Sequence, residues 1–480
     1  MAGWILPILI AVFALFAGVL CFRASNFKPG GHEQAAAEEA AVNGEQIIGH
    51  LARMIRCKTV SSQDKSLEDE AEFEKFRRLL EELYPGVHRA CSLERIGRTG
   101  LLYTLKGKSS DAPVVLMSHY DVVPADEDAW DKPAFEGILE NGVLWGRGTL
   151  DTKGTLCGIM ESAEMLLAEG FTPQNDLYFA FCGDEEIAGD TAPAMVEEFR
   201  RRGVKPAMVL DEGGAVVQDI FPGVAEQCAL IGIAEKGMLD IELVVESKGG
   251  HASAPPPHTP VGILARAAAR IENRPFPFRL TKPVAEMFDI LGRRSTFVYK
   301  LIFANLWCFS PLLDALCRKN GGELNAMVRT TCAFTMMEGS KATNVIPPVA
   351  KMRANLRLIG GDTCDSAVEY LRSTAGDPDI QFRVIYGMNP SINSKTDGAN
   401  WALLKSAIAQ TWPAALISPY LMMACSDSRH YCRISDAVYR FSAASLSKVE
   451  RATIHGHNER VPVETAVQTV QFYLRLMRQC

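Results

Sequence analysis

Three apolar runs in this 480-residue chain each end in residues that carry charge or can bind a metal. Val114–Met117 leads into Ser118-His119-Tyr120-Asp121, Leu177–Cys182 into Asp184-Glu185-Glu186, and Met208–Leu210 into Asp211-Glu212. Segments with helical period, Leu156–Leu167 and Ala194–Arg202, alternate with them. Short strands alternating with helices make a mainly parallel sheet covered on both faces. The carboxyl ends of such strands line one crevice, so these acidic and histidine clusters are expected at one edge. Gly146-Arg147-Gly148-Thr149-Leu150-Asp151 brings a further carboxylate to the entrance of a helix. A single strand-end aspartate is usually solvated or caps a helix. Several together repel one another and take up protons unless cations lie between them.

In extended chain His119 and Asp121 point to the same side, which lets the carboxylate fix the tautomer of the ring. A second histidine is expected from Ile454-His455-Gly456-His457-Asn458-Glu459. Histidine with several carboxylates is a ligand set for hard or borderline divalent metals, zinc among them.

Around residue 235 the pattern changes. Met238–Val245 and Ala350–Leu358 alternate like half-exposed strands, Val261–Ile271 is helical, and Met287–Leu316 is a long apolar stretch. This reads as an α+β unit, 235–390, inserted between two parts of an α/β domain, 45–234 and 391–480. The Met287–Leu316 stretch reads first as lid core or a dimer contact and second as a groove for a long acyl chain.

The N-terminus is different material. Trp4–Phe22 is nineteen residues without a charge, followed by Arg23 and Lys28. That is enough to cross a bilayer. No positive stretch precedes it and no small-residue cleavage site is clear, so residues 1–23 are expected to be an uncleaved signal-anchor, with a cleaved, secreted form as the alternative. The charges beyond the span favour a cytoplasmic main body but leave orientation open. Residues 24–44, small and acidic, read as a linker.

Fifty basic residues against fifty-seven acidic ones, a net charge of −7, argue against a nucleic-acid partner. Thirteen scattered cysteines with no C-x-x-C pair argue against a disulfide framework or a cysteine zinc site. No G-x-G-x-x-G follows the first strand, which removes dinucleotide binding.

The segments SHYDVVP, GRGTLDTKG, GDEE, LDEGG and IHGHNE, in this order and spacing, resemble the M20 metallopeptidases from about Ile47 to Met477. LDEGGAV, EKGMLDIEL, GGHASAPP, TNVIPPVA and SDSRHY are most similar to the branch of N-fatty-acyl-amino-acid synthase/hydrolases and carboxypeptidase S. The resemblance implies a di-zinc catalytic domain with an inserted lid and dimerisation domain. It implies that Asp151 bridges two zinc ions, with His119 and Asp211 completing one site and Glu186 and His455 the other. Glu212 is the reserve for Asp211, and His457 the alternative to His455. It makes Glu185 the general base and Asp121 the residue orienting His119. It makes His251, in Gly249-Gly250-His251, an oxyanion donor that reaches the site of the other subunit, and hence implies a homodimer. The reaction implied is hydrolysis of an amide bond to an amino acid with a free carboxylate, reversible in principle with fatty acyl groups. A general carboxypeptidase or dipeptidase is the alternative, and an inactive binding protein on the same fold the remote one.

For the substrate, Asn344 and Arg357 are the expected anchors, with Arg429 a similar candidate. A guanidinium forks onto a carboxylate with two hydrogen bonds, which would select substrates carrying one.

Overall fold

The computed structural model describes residues 4–30 and 41–480. Eight strands form a mixed, mainly parallel sheet. In order across it they are Ser92–Ile96, Gly100–Leu105, Asn175–Cys182, Ser109–His119, Met208–Val217, Val438–Leu446, Cys228–Glu235 and Leu416–Met422. The register aligns three strand ends: Val114 lies opposite both Leu177 and Met208, and His119 opposite Cys182. His119, the Glu185 loop and the Asp211–Glu212 pair therefore open onto one crevice.

Burial holds this arrangement. Leu116, Phe179 and Leu210 are fully covered and pack with the helices Gly44–Ile55, Lys153–Ala168 and Val463–Arg478 on one face. Val115, Ala180 and Val209 point the opposite way and pack against Thr191–Arg201. Each of these side chains larger than alanine contributes about 1.5–3 kcal/mol, so slipping one strand by a residue would cost far more than any surface ion pair returns.

A second sheet of four antiparallel strands runs Thr331–Glu338, Val349–Leu358, Gly237–Glu246, Gln381–Met388. Helices Pro260–Asn273 and Cys364–Ala375 cover one face. The chain passes from the first sheet to the second between Glu235 and Gly237.

One part of the inserted segment does not follow the expectation. Helices Lys282–Gly292, Phe297–Phe303 and Leu306–Asn320 pack on the large sheet, through Val284, Phe288, Leu291, Phe303 and Leu313 against Val217, Leu230, Leu416 and Leu421. An apolar run shows that a surface is buried, not which one. The stretch is thus core to the larger unit, with its outward side exposed.

The N-terminal helix is Ile5–Asn26, longer than the expected span by its last turn. Of the expected linker, residues 31–40 lie outside the described residues. Asn43 caps the next helix through its side chain, which accepts from the Gln46 N–H.

Candidate metal centre

Asp121 is fully buried beyond the strand that ends at His119, and it organises two segments at once. Its Oδ2 accepts from Ser61 Oγ at 2.7 Å and from the Glu186 N–H at 3.1 Å, and its Oδ1 from the Glu185 N–H at 3.2 Å. The same Oδ1 is 3.4 Å from His119 Nδ1, which also lies 3.0 Å from the Asp121 carbonyl. A proton on Nδ1 satisfies both and leaves the Nε2 lone pair facing the crevice.

Nε2 of His119 lies 3.0 Å from Asp151 Oδ1 and 3.4 Å from Glu212 Oε1. The other oxygen of Asp151 faces the second histidine: Oδ2 is 3.0 Å from His455 Nε2, which is also 3.0 Å from Glu186 Oε2. One carboxylate thus stands between two histidines, with one further carboxylate on each side. Candidate ligand atoms of His119, Asp151 and Glu186 lie within 4.8 Å of one another, as do those of His119, Glu185 and Glu212.

Asp211 is the residue the crevice does not receive. Its carboxylate is buried and accepts from the Ser428 N–H at 3.0 Å. Asp211 is still in register, opposite Arg440, and follows Val209 by alternation onto the face away from Leu210, but the next pair is Gly214 with Phe441, a β-bulge that leaves Glu212 and Gly213 unpaired. A bulge re-aims side chains, and here it turns Glu212 to His119. At the other alternative, His455 meets the cluster, while His457 is exposed and makes no ion pair among the described residues.

Glu459 carries a role that the sequence reading did not give it. Fully buried, it pairs with Arg147 at 2.7 Å and accepts from the backbone N–H groups of Gly148, Leu150 and Asp151 at 3.1, 2.8 and 3.2 Å. It holds the Asp151 loop in place. Removing one partner of a buried pair costs about 3–5 kcal/mol, unlike an exposed one. Its signal was a carboxylate within the His455 motif itself. His455 has φ of 57°, uncommon for a residue with a side chain and kept only where the surrounding structure holds it.

The electrostatics call for positive charge. Burial pushes the Glu185 carboxyl well above its ordinary range, and Glu212, Asp427 and Glu186 add to it, against the pull of His119. Burial and then Asp151 do the same to Glu212. Asp151 and Glu186 raise the His455 imidazole to about 10. The Glu186 Oε1 atom is buried without a hydrogen-bond partner. Divalent cations would relieve the repulsion and engage that oxygen, so the residues fit a metal pair.

His251 and Asn344 are both exposed on the smaller unit, side by side. His251 pairs with Val345, and the Ala252 N–H donates to the Asn344 carbonyl at 3.0 Å. Neither meets the cluster of its own chain through a hydrogen bond or ion pair among the described residues. Arg357 does reach the large unit, with Nη1 at 3.5 Å from Cys425 Sγ. Near it is Arg429, whose Nε is buried without a hydrogen-bond partner. Burial opposes the charge on Arg429, but Cys425, Glu235, Asp427 and Glu185 together keep its pKa raised.

Beside the cluster lies a cavity of about 180 Å³, lined by Leu150, Ala215, Val217, Leu230, Ala443 and Ile454 among others. Leu150 and Ile454 immediately precede Asp151 and His455.

The sequence matches the profile of Peptidase family M20/M25/M40 over residues 115–479. It is 34% identical over 441 residues to a probable carboxypeptidase S-like 2 of Dictyostelium discoideum, covering 90% of this chain and 85% of that one. It is 32% identical over 484 residues to N-fatty-acyl-amino acid synthase/hydrolase PM20D1 of Xenopus tropicalis, covering 100% and 94%. In fold it is similar to the M20 family metallo-carboxypeptidase Sso-CP2 from Sulfolobus solfataricus. The TM-score is 0.67 at 16% identity, over 90% of this chain and 98% of that one.

Proposed function

Because the chain belongs to peptidase family M20/M25/M40, whose members are metal-dependent hydrolases, we propose that it hydrolyses the amide bond of N-acyl amino acids with apolar acyl chains, using two zinc ions. The observation that carries this is the carboxylate of Asp151, whose two oxygens each face a different histidine at 3.0 Å. His119 and Glu212 would hold one ion and His455 and Glu186 the other, with Asp151 shared. Glu212 replaces Asp211 in this assignment. Bound there, the pair of cations would supply Lewis acidity to the carbonyl and a lowered pKa to water.

The remaining steps belong to the chain's own residues. Glu185, held by its backbone against Asp121, accepts the proton of the attacking water and delivers it to the leaving nitrogen. Its raised pKa suits a group that must hold a proton and then release it. Asp121 keeps His119 in the tautomer that presents Nε2. Arg429 and Arg357, both near Cys425, fork onto the free carboxylate of the substrate.

Three features favour an apolar acyl side: the fatty-acyl name of the Xenopus relative, the mostly apolar cavity beside Asp151, and the N-terminal helix. We read that helix as a membrane anchor. The cavity is somewhat larger than an engineered one that binds benzene. Four methylenes buried at about 0.8 kcal/mol each give ~3 kcal/mol, or about 10²-fold. For N-acyl-phenylalanines, kcat/KM should therefore rise at least ~10²-fold from acetyl to long chains, and capping the carboxylate as an amide should abolish the gain. A flat series with dipeptides cleaved faster leaves a carboxypeptidase of the same mechanism.

His251 we assign to the partner subunit's site, with a homodimer formed through the smaller unit, where the edge strand Gln381–Met388 exposes Val384 and Ile385. Equal amounts of His251→Ala and Glu185→Gln chains, each inactive, should recover about a quarter of wild-type activity after subunit exchange. Half the dimers are then mixed, and each carries one intact site. Verified exchange without recovery returns His251 to its own subunit.

A further inference from the structure

The helices Phe297–Phe303 and Leu306–Asn320 bury one side on the large sheet and leave the other bare. Val298, Trp307 and Leu312 are 68%, 61% and 50% exposed, and Phe297 and Leu316 share the outward surface. The thirteen residues Leu301–Leu313 include no charge. Charges flank them: Arg293, Arg294 and Lys300 before, Arg318 and Lys319 after. Asp314 is the one acid in 293–320, and Arg318 and Arg329 both pair with it. An apolar band rimmed by basic residues is complementary to a lipid leaflet with anionic headgroups.

The N-terminal helix is clamped to the bend between these two helices. Arg23 donates from Nη2 to the Ala304 carbonyl at 3.0 Å and from Nε to Asn305 Oδ1 at 3.0 Å. Asn305, fully buried, returns a hydrogen bond from Nδ2 to the Leu20 carbonyl at 3.1 Å. Phe16 meets Trp307 edge-on at 6.0 Å, and Arg293 covers the Phe27 ring at 4.4 Å. The exposed band thus continues the surface of a 22-residue helix that is itself almost wholly bare.

We propose that the bent pair is a second membrane-embedded element, dipping into the leaflet beside the N-terminal helix and seating the catalytic unit on the bilayer. The two helices meet at 105°. Neither is long enough to cross a core of about 30 Å, so they enter and return. From Phe16 to Arg23 the rise is about 10 Å. With Arg23 at the headgroups, Trp307 sits within the acyl region of one leaflet, at the depth where interfacial helices lie. The cavity beside the metal centre bears on this: Val217 and Leu230 line it and also form the core on which Phe303 and Leu313 pack. A substrate with an apolar acyl chain, dissolved in the bilayer, would approach the cavity through the core that Val217 and Leu230 share with these helices.

This rests on reading the N-terminal helix as a span and the substrate as an acyl amino acid, and the test separates the three. The full chain is reconstituted in phosphatidylcholine vesicles containing phosphatidylglycerol, with or without bromine on the acyl carbons nearer the headgroups of both leaflets, and tryptophan emission is read. In a Trp4→Phe background bromine should quench emission, and Trp307→Phe should remove most of that quenching. In a Trp307→Phe background Trp4 reports the span alone. Quenching of Trp4 without quenching of Trp307 overturns the proposal and leaves the bare face to another partner, such as a second copy. Loss of both overturns the span as well. Leu312→Glu with Leu316→Glu should lower turnover of a vesicle-borne palmitoyl amino acid at least ~10-fold and leave the acetyl analogue unchanged. An equal effect on both substrates counts against the membrane role, whereas no wild-type hydrolysis of either sinks only the substrate reading.

Discussion

Glu185→Gln should lower the hydrolysis rate by at least ~10²-fold while the protein keeps its full metal content. Glutamine preserves the size of the side chain and the backbone hydrogen bond to Asp121, and removes only the ability to take a proton. The crowding of carboxylates makes this a sharp test. Glu185 has a ligand atom within 4.8 Å of His119 and Glu212, so by position alone it could bind a cation. If it does, the variant loses metal and activity together. If it moves protons, activity falls alone, and burial together with neighbouring carboxylates is what gives it a pKa suited to the work. Measuring metal per chain and the rate on one preparation separates the two.

How much of this was legible in the sequence depended on whether a feature was periodic. The strands ending at His119 and Cys182 are apolar runs that stop at charged residues, and both lie as the pattern implies. The helix from Lys153 follows its apolar spacing. The strand Leu416–Met422 carries no clean strand signal, because Pro419 interrupts it, and the proline is tolerated because this strand is at the sheet edge. Val438–Leu446 was missed for its small and polar residues, Ser442, Ala443, Ala444 and Ser445.

The site shows the same division. His119 closes a strand whose register is held by a buried core and Asp151 stands just before the helix from Lys153, whereas Glu186 and His455 reach the crevice from the segments that follow Cys182 and Arg451. Glu212 instead of Asp211 depends on a bulge, which no alternation of residues announces. The apolar stretch after Met287 reads as lid core or a dimer contact, yet it packs on the large sheet, since hydrophobicity carries no address. Glu459 escaped notice because its partners, three backbone N–H groups and Arg147, come together only in the folded chain.

A pair of cations held across Asp151 is the centre of the proposed chemistry. Protein stripped with a chelator should lose at least ~10²-fold in activity toward an N-acyl amino acid and regain it on titration with zinc, the recovery reaching its plateau at two equivalents per chain. In the same titration Glu212→Gln should bind about one equivalent and stay inactive, while Asp211→Asn should still bind two. Activity that survives the chelator, or a titration in which Asp211→Asn loses an ion and Glu212→Gln does not, would contradict it.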